Sequence, residues 1–272
     1  MTGLLIAALA LPLLPTSEVT LASGLRIHYA QQGPRNGPAI VLLHGYSDSS
    51  FSFSRVMPLL PPGWRVIAPD LRGHGASGRP VDGYRMTDLA TDVLQLMDAL
   101  DVPSAVVVGH SMGSFVAQMI AERAPARVTK LVLIGSTSSA RNESVFSLRD
   151  AVAELSDPVD EQFVREFQYS TVAQPVPEAF MHTAIAISRR MPAATWKSIM
   201  QGILDFQPAT PRPDIPVLVI GGVRDAVFSV AEQLELASQF PRGRLRLFDD
   251  AGHTLHWEQP EVFVRELEKF VR

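Results

Sequence analysis

Short apolar runs recur along the chain, each bounded by turn residues: Ala39–Leu43 (AIVLL), Arg65–Ala68 (RVIA), Ala105–Val108 (AVVV), Leu131–Ile134 (LVLI) and Val217–Ile220 (VLVI). Continuous, largely β-branched apolarity over four or five residues suits a strand covered on both faces, as in a parallel sheet. Longer stretches with helical periodicity lie between them. Over Met86 to Leu100, the residues Leu89, Val93, Leu96, Met97 and Leu100 share one face. Ser114 to Arg123 follows directly from an apolar run, and Val230–Phe240 and Glu261–Val271 repeat the helical pattern. Leu245–Phe248 reads as one more strand near the end. Leu25–Ala30 (LRIHYA) alternates instead, which predicts an earlier antiparallel edge strand. Strand and helix in alternation predict an α/β fold with a doubly wound, mostly parallel sheet.

One segment breaks this rhythm. From 138 to 210 no buried-strand pattern occurs, and short helical stretches carry Phe163, Phe167, Tyr169, Phe180, Met181, Met191, Trp196, Met200 and Phe206. The expected organisation is a core in two parts, 1–137 and 211–272, with 138–210 inserted as a helical lid. A plain helical extension of the core is the alternative. The aromatic and Met content predicts a mainly apolar pocket for a small to medium acyl or alkyl group, although inward-facing residues of such a segment also serve as core.

The composition narrows the class of protein. A chain of 272 residues, 46% of them hydrophobic and 19% charged, holds enough apolar material for a core without a disulfide or metal. It has no cysteine, so thiolate chemistry, disulfides and cysteine-held metal centres are excluded and the redox compartment is left open. A net charge of −4 and the lack of a basic run argue against a nucleic-acid partner. Gly3–Leu14 (GLLIAALALPLL) is apolar, but no Lys or Arg precedes it, Pro12 interrupts it, and it is shorter than a membrane span. It is read as a segment that packs on the domain or frays, in a cytoplasmic protein. The alternative is an export signal.

The chemistry centres on Gly109-His110-Ser111-Met112-Gly113, a G-x-S-x-G sequence with a strand before it and a helical pattern after it. That is the frame of a nucleophile elbow. Small residues two positions either side of Ser111 let the chain double back, and the strain lifts the hydroxyl clear of the sheet. The following helix N-terminus offers free N–H groups to developing negative charge. Asp70-Leu71-Arg72-Gly73-His74-Gly75 is read as a structural turn, because no phosphate-loop Lys-Ser/Thr follows it. His253 and His256 lack an H-E-x-x-H helix or an obvious third ligand, so no metal is expected.

Three further segments make the chain similar to a known family. His44-Gly45 after the run at 39–43, Pro69 to Ser77 (PDLRGHGAS), and Gly252 to Pro260 (GHTLHWEQP) resemble the α/β-hydrolase superfamily, in its small lid-bearing esterase, lactonase and carbon–carbon hydrolase branch. The likeness runs from Leu21 to Phe270. It implies a serine nucleophile at Ser111, a carboxylate at Asp225 in the loop after the strand 217–220, and a general base at His253, in the family's chain order. His256 is read as a neighbour that packs nearby. Asp249 and Asp250 are other candidates for the acid, but they lie closer to His253 in sequence than the family arrangement has it. The oxyanion donors implied are the backbone N–H groups of Tyr46 and Met112. His44 and His74 are expected to brace loops, and His110 to face away across the turn.

A serine at position 111 selects among reactions. Displacement at a saturated carbon needs a carboxylate nucleophile, whereas a serine alkoxide adds to an acyl carbon. The expected activity is therefore cofactor-independent hydrolysis of a small-molecule carboxylic ester through an acyl-enzyme. Lactone opening, carbon–carbon cleavage and peracid formation use the same groups and stand as alternatives. A ligand receptor with very slow turnover is the non-enzymatic one.

Overall fold

A computed structural model describes residues 14–210 and 212–272. The apolar Gly3–Leu14 stretch, Leu14 excepted, lies outside the described residues. Eight strands form one sheet: β1 (Thr16–Thr20), β2 (Arg26–Gln32), β3 (Ala39–Leu43), β4 (Arg65–Pro69), β5 (Ala105–His110), β6 (Val128–Ile134), β7 (Val217–Gly222) and β8 (Gly243–Phe248). Their order is β1-β2-β4-β3-β5-β6-β7-β8, antiparallel from β1 through β4 and parallel from β4 onward. The strand expected at Leu25–Ala30 is antiparallel, but it is not the edge. Thr16–Thr20 pairs outside it, and its half-exposed polar sequence TSEVT carries little of the apolar signal that marks a strand.

Period-two alternation divides the core between the two faces of the sheet. Val41, Leu43, Val107, Leu131, Leu133 and Val219 turn one way, and Ile40, Leu42, Val106, Val108, Val132 and Ile220 the other. On the first face pack α1 (Met86–Ala99) and α2 (Met112–Arg123). On the second packs the C-terminal helix Pro260–Val271, through Phe263, Val264 and Leu267. Helices on both faces explain why the central strands read as unbroken apolar runs.

Between β6 and β7 the chain forms four helices, α3 (Glu143–Ala153), α4 (Glu161–Ser170), α5 (Glu178–Ser188) and α6 (Ala193–Leu204). Asn142 and Asp160 cap α3 and α4 by accepting from Val145 and Phe163 N–H, which fixes where those helices begin. Beyond β7 come α7 (Val230–Ser238), the short α8 (Leu255–Glu258) and α9, the C-terminal helix already described. No helix among the described residues is long and apolar enough to cross a membrane.

The connection between β5 and α2 is the tightest point of the fold. Ser111 takes φ 50° and ψ −120°, a region that side chains other than glycine rarely enter. A Cβ at Gly109 would stand 2.6 Å from Ser114 Cα, and one at Gly113 would stand 2.6 Å from the Leu43 carbonyl carbon. Neither neighbour can move, since both are backbone. Both glycines are therefore required by close approach, and α2 is drawn against the end of β3.

A second constraint holds the turns after β3 and β4. Asp70 Oδ1 accepts from Ser50 N–H at 2.7 Å, and its Oδ2 accepts from Ala76 N–H at 2.9 Å and lies 2.9 Å from His28 Nδ1. Burial alone would raise this carboxyl, but the His28 ring and the two amides outweigh it and hold it at about 2, below its ordinary 3.8. The same contact raises His28 above its ordinary 6.5.

Two predictions follow the strain and the buried pair. Ser111→Gly and Ser111→Ala both remove the hydroxyl, but only glycine relieves the backbone. Urea unfolding should find Ser111→Gly the more stable of the two by about 1 kcal/mol, the reverse of the usual order. For Asp70, a depressed carboxyl contributes stability above its unfolded value and loses it as pH falls toward about 2. The raised His28 contributes fully below 6.5 and loses its share as pH rises through its folded value. The stability gap between the wild type and Asp70→Asn should therefore be widest between about pH 4 and 6.5, and should shrink by about 2 kcal/mol on acidification to pH 2.

Candidate active site

The chain leaves β3 toward β4 on one side and β5 toward β6 on the other, so a crevice opens between the carboxyl ends of β3 and β5. Open α/β sheets bind ligands at such a switch of direction. The loop from His44 to Asp48 follows β3, and Ser111 follows β5. Helix α2 starts at Met112, whose N–H belongs to the unpaired first turn. Among the described residues neither that N–H nor the Tyr46 N–H has a hydrogen-bond acceptor.

Across the crevice, His253 stands on the loop after β8 and Asp225 on the loop after β7. His253 Nδ1 lies 2.9 Å from Asp225 Oδ2 and 3.1 Å from Oδ1. Both side chains are almost wholly buried. Asp225 Oδ1 also accepts from the N–H groups of Val227 at 2.8 Å and Phe228 at 3.0 Å, an Asx-type turn that fixes the carboxylate before it meets the histidine. Ser111 and His253 line the same cavity, without a direct hydrogen bond between them. Asp249 and Asp250 are exposed, and Asp250 is engaged by Gln259, so neither reaches His253.

The other histidines divide in two. His44 accepts from Leu71 N–H at 3.0 Å through Nε2, and its Nδ1 donates to Gly45 O at 2.8 Å. His74 Nδ1 donates to Arg72 O, and its ring stands edge-on to His44. Both brace loops, as expected. His110 does not face away, however. Its ring lines the cavity 5.0 Å from the His253 ring, and its Nε2 lies 3.2 Å from the His253 carbonyl. The reversal at Ser111 turns the preceding side chain toward the β8 loop rather than out of the site. His256 packs behind, 4.5 Å from the His110 ring and 3.2 Å from Ser52 Oγ. Burial lowers both, His256 to about 3, so they stay neutral at ordinary pH.

The cavity together with its solvent-open mouth encloses about 560 Å³. Its far wall comes from α3, α4 and α6, through Val145, Leu148, Phe167, Met200 and Ile203. Of the nine aromatic and Met residues that mark this segment in the sequence, Phe167 and Met200 reach the cavity. Trp196, Phe180 and Met181 are fully buried in packing instead.

Three side chains without an assigned role in the sequence hold the site together. Gln168 on α4 lies 3.2 Å from Asp48 Oδ1 and 2.9 Å from Ser188 Oγ, and Ser188 donates in turn to Ser47 O at 3.0 Å. Glu258 accepts from Gly252, Ala173 and Gln174 N–H, tying the His253 loop to the segment after α4. Asp48 lines the cavity itself. Glu258 falls inside the histidine-loop sequence and Asp48 four residues past His44, so both were within reach of a sequence reading. Gln168 gives no such signal.

Residues 38–176 match the sequence profile of the alpha/beta hydrolase fold family. A non-heme chloroperoxidase of Streptomyces lividans is 30% identical over 272 aligned positions, covering 93% of this chain and 99% of that protein. The 3-oxoadipate enol-lactonase 2 of Acinetobacter baylyi is 26% identical, covering 96% and 99%. Among solved structures, the esterase RhEst1 from Rhodococcus sp. ECU1013 superposes with a TM-score of 0.80 at 26% identity, covering 94% of this chain and 98% of the esterase. With its sheet order, its strained serine turn and this match over half its length, the chain belongs to the α/β-hydrolase fold family.

Proposed function

We propose that the protein hydrolyses carboxylic esters of small to medium, mainly apolar substrates, with Ser111 as nucleophile, His253 as general base and Asp225 as its partner. The observation that carries this reading is the His253–Asp225 contact beside a serine held at positive φ on the same cavity. In this reading Ser111 Oγ attacks the acyl carbon while His253 Nε2 takes its proton. Asp225 keeps the Nδ1–H tautomer and stabilises the imidazolium as it forms. The Met112 and Tyr46 N–H groups receive the oxyanion, a contribution of roughly 100- to 1,000-fold per donor. Collapse expels the alcohol, which takes the proton from His253. Water then repeats the sequence on the acyl-enzyme and frees the acid. We read 138–210 as the lid, because three of its helices supply the far wall of the cavity.

Lactone opening is a second reading, favoured by the likeness to a protein named an enol-lactonase. The chemistry is the same, and a lactone differs only in keeping its alcohol attached.

Hydrolysis of p-nitrophenyl esters from acetate to decanoate, by wild type and Ser111→Ala side by side, tests the reading. Turnover should be rapid and peak at short to medium chains, and Ser111→Ala should lose on the order of 10⁴-fold in kcat/KM. Labelling of Ser111 by a fluorophosphonate without ester turnover would instead point to a specialised substrate or a receptor. Neither labelling nor turnover would overturn the assignment of Ser111.

A further inference from the structure

The cavity wall carries one acid that the hydrolytic steps do not use. Asp48 lies two residues beyond Tyr46 and is 7% exposed. Its Oδ1 is 3.2 Å from Gln168 Nε2, and the Ser52 hydroxyl and Gly45 N–H are its other polar neighbours. No Lys or Arg lines the cavity among the described residues. The ionisable groups that face Asp48 are Tyr46 on its own loop, His110 at the end of β5 and His253 after β8, with His256 on α8 reached through Ser52 and Asp225 behind His253. Helix α4 presents only the uncharged Phe167 and Gln168, with the uncharged Thr171 just past it. Burial holds His110 and His256 neutral and the Tyr46 phenol protonated, so none of the three offers an anion a counter-charge.

We propose that Asp48 sets the charge preference of the cavity: it admits ester substrates that are neutral or carry a hydrogen-bond donor, and turns away those that carry a free carboxylate. This rests on the ester-hydrolase reading above and names its substrate class. A substrate carboxylate would leave water for an apolar wall with no cation to receive it, beside a second carboxyl group. A substrate hydroxyl or amide N–H finds an acceptor in Asp48. Burial pushes the Asp48 carboxyl up to about 7, against the Gln168 amide and the His253 charge, which favour its ionised form. The carboxyl is thus protonated on the acid side of neutrality and ionised on the alkaline side. Rejection of a carboxylated ester deepens as pH rises through that value, because only the ionised form repels.

The test compares p-nitrophenyl butyrate with mono-p-nitrophenyl glutarate, of similar reach but ending in a carboxylate. Their kcat/KM ratio is measured from about pH 5.5 to 8.5, where the glutarate is ionised throughout. The wild type should prefer the butyrate throughout, with the preference growing on the order of tenfold as pH rises. Asp48→Asn should keep the ratio flat with pH, and Asp48→Ser should do the same if the asparagine variant folds poorly. A flat wild-type ratio, equal use of both esters, or a rise that survives in either variant would overturn the proposal while leaving the ester-hydrolase reading intact. Loss of Ser111-dependent turnover on the butyrate would instead strike that reading, and this one with it.

Discussion

The site depends on how closely the N-terminus of α2 can approach the end of β3. At Gly113 the separation leaves no room for a Cβ, and at Gly109 the chain returns upon itself within a single residue. Ser111 absorbs the reversal by taking a positive φ. Such backbone strain costs about 1–3 kcal/mol and persists only where the surroundings over-determine it. Here they do. All six residues of β5 are buried at the centre of the sheet, and Ser111 N–H continues the ladder to Ile134 O at 2.9 Å. The same approach sets the start of α2 against the end of β3, and Tyr46, Ser111 and Met112 line one cavity.

Around this turn the protein buries polar groups with unequal provision. Asp225 has two backbone donors and a histidine, and Asp70 has two donors and a histidine of its own. His110 and His256 each leave Nδ1 without a partner. Desolvation then keeps those rings uncharged, which fits the proposed mechanism: a second cation beside His253 would oppose an imidazolium formed there. The neutral His110 ring therefore lines the cavity, with the neutral His256 packed behind it.

Much of this was legible from the order of residues. The runs from Ala39 to Ile220 that lie on strands covered on both faces announced themselves through unbroken apolarity, and Gly109 to Gly113 through its strand–turn–helix frame. β1 was not legible, because TSEVT at a sheet edge needs no apolar face. Nor was the orientation of His110, which is set by the backbone reversal at its neighbour and leaves no trace in composition. The inserted segment was visible as a helical stretch, but Trp196 and Phe180 look the same in sequence whether they fill a core or line a cavity. Gln168 is the plainest case. It reaches Asp48 across 120 positions of chain, and on an amphipathic helix it reads as one more polar surface residue.

The contacts that close the cavity also position the groups inside it. Gln168 and Ser188 fix the loop that carries Asp48 and Ser47. The Tyr46 hydroxyl donates to Trp196 O at 2.7 Å on α6, and His253 N–H donates to Thr171 O at 3.0 Å just past α4. The inserted helices are therefore bound to the residues on both sides of Ser111, not laid over them. In the proposed reading, a change in the interior of α4 or α6 would move the loop that carries Tyr46 and the His253 loop together. Chain-length preference and rate would be coupled, since a wall that shifts to admit a larger acyl group would take the Tyr46 donor with it.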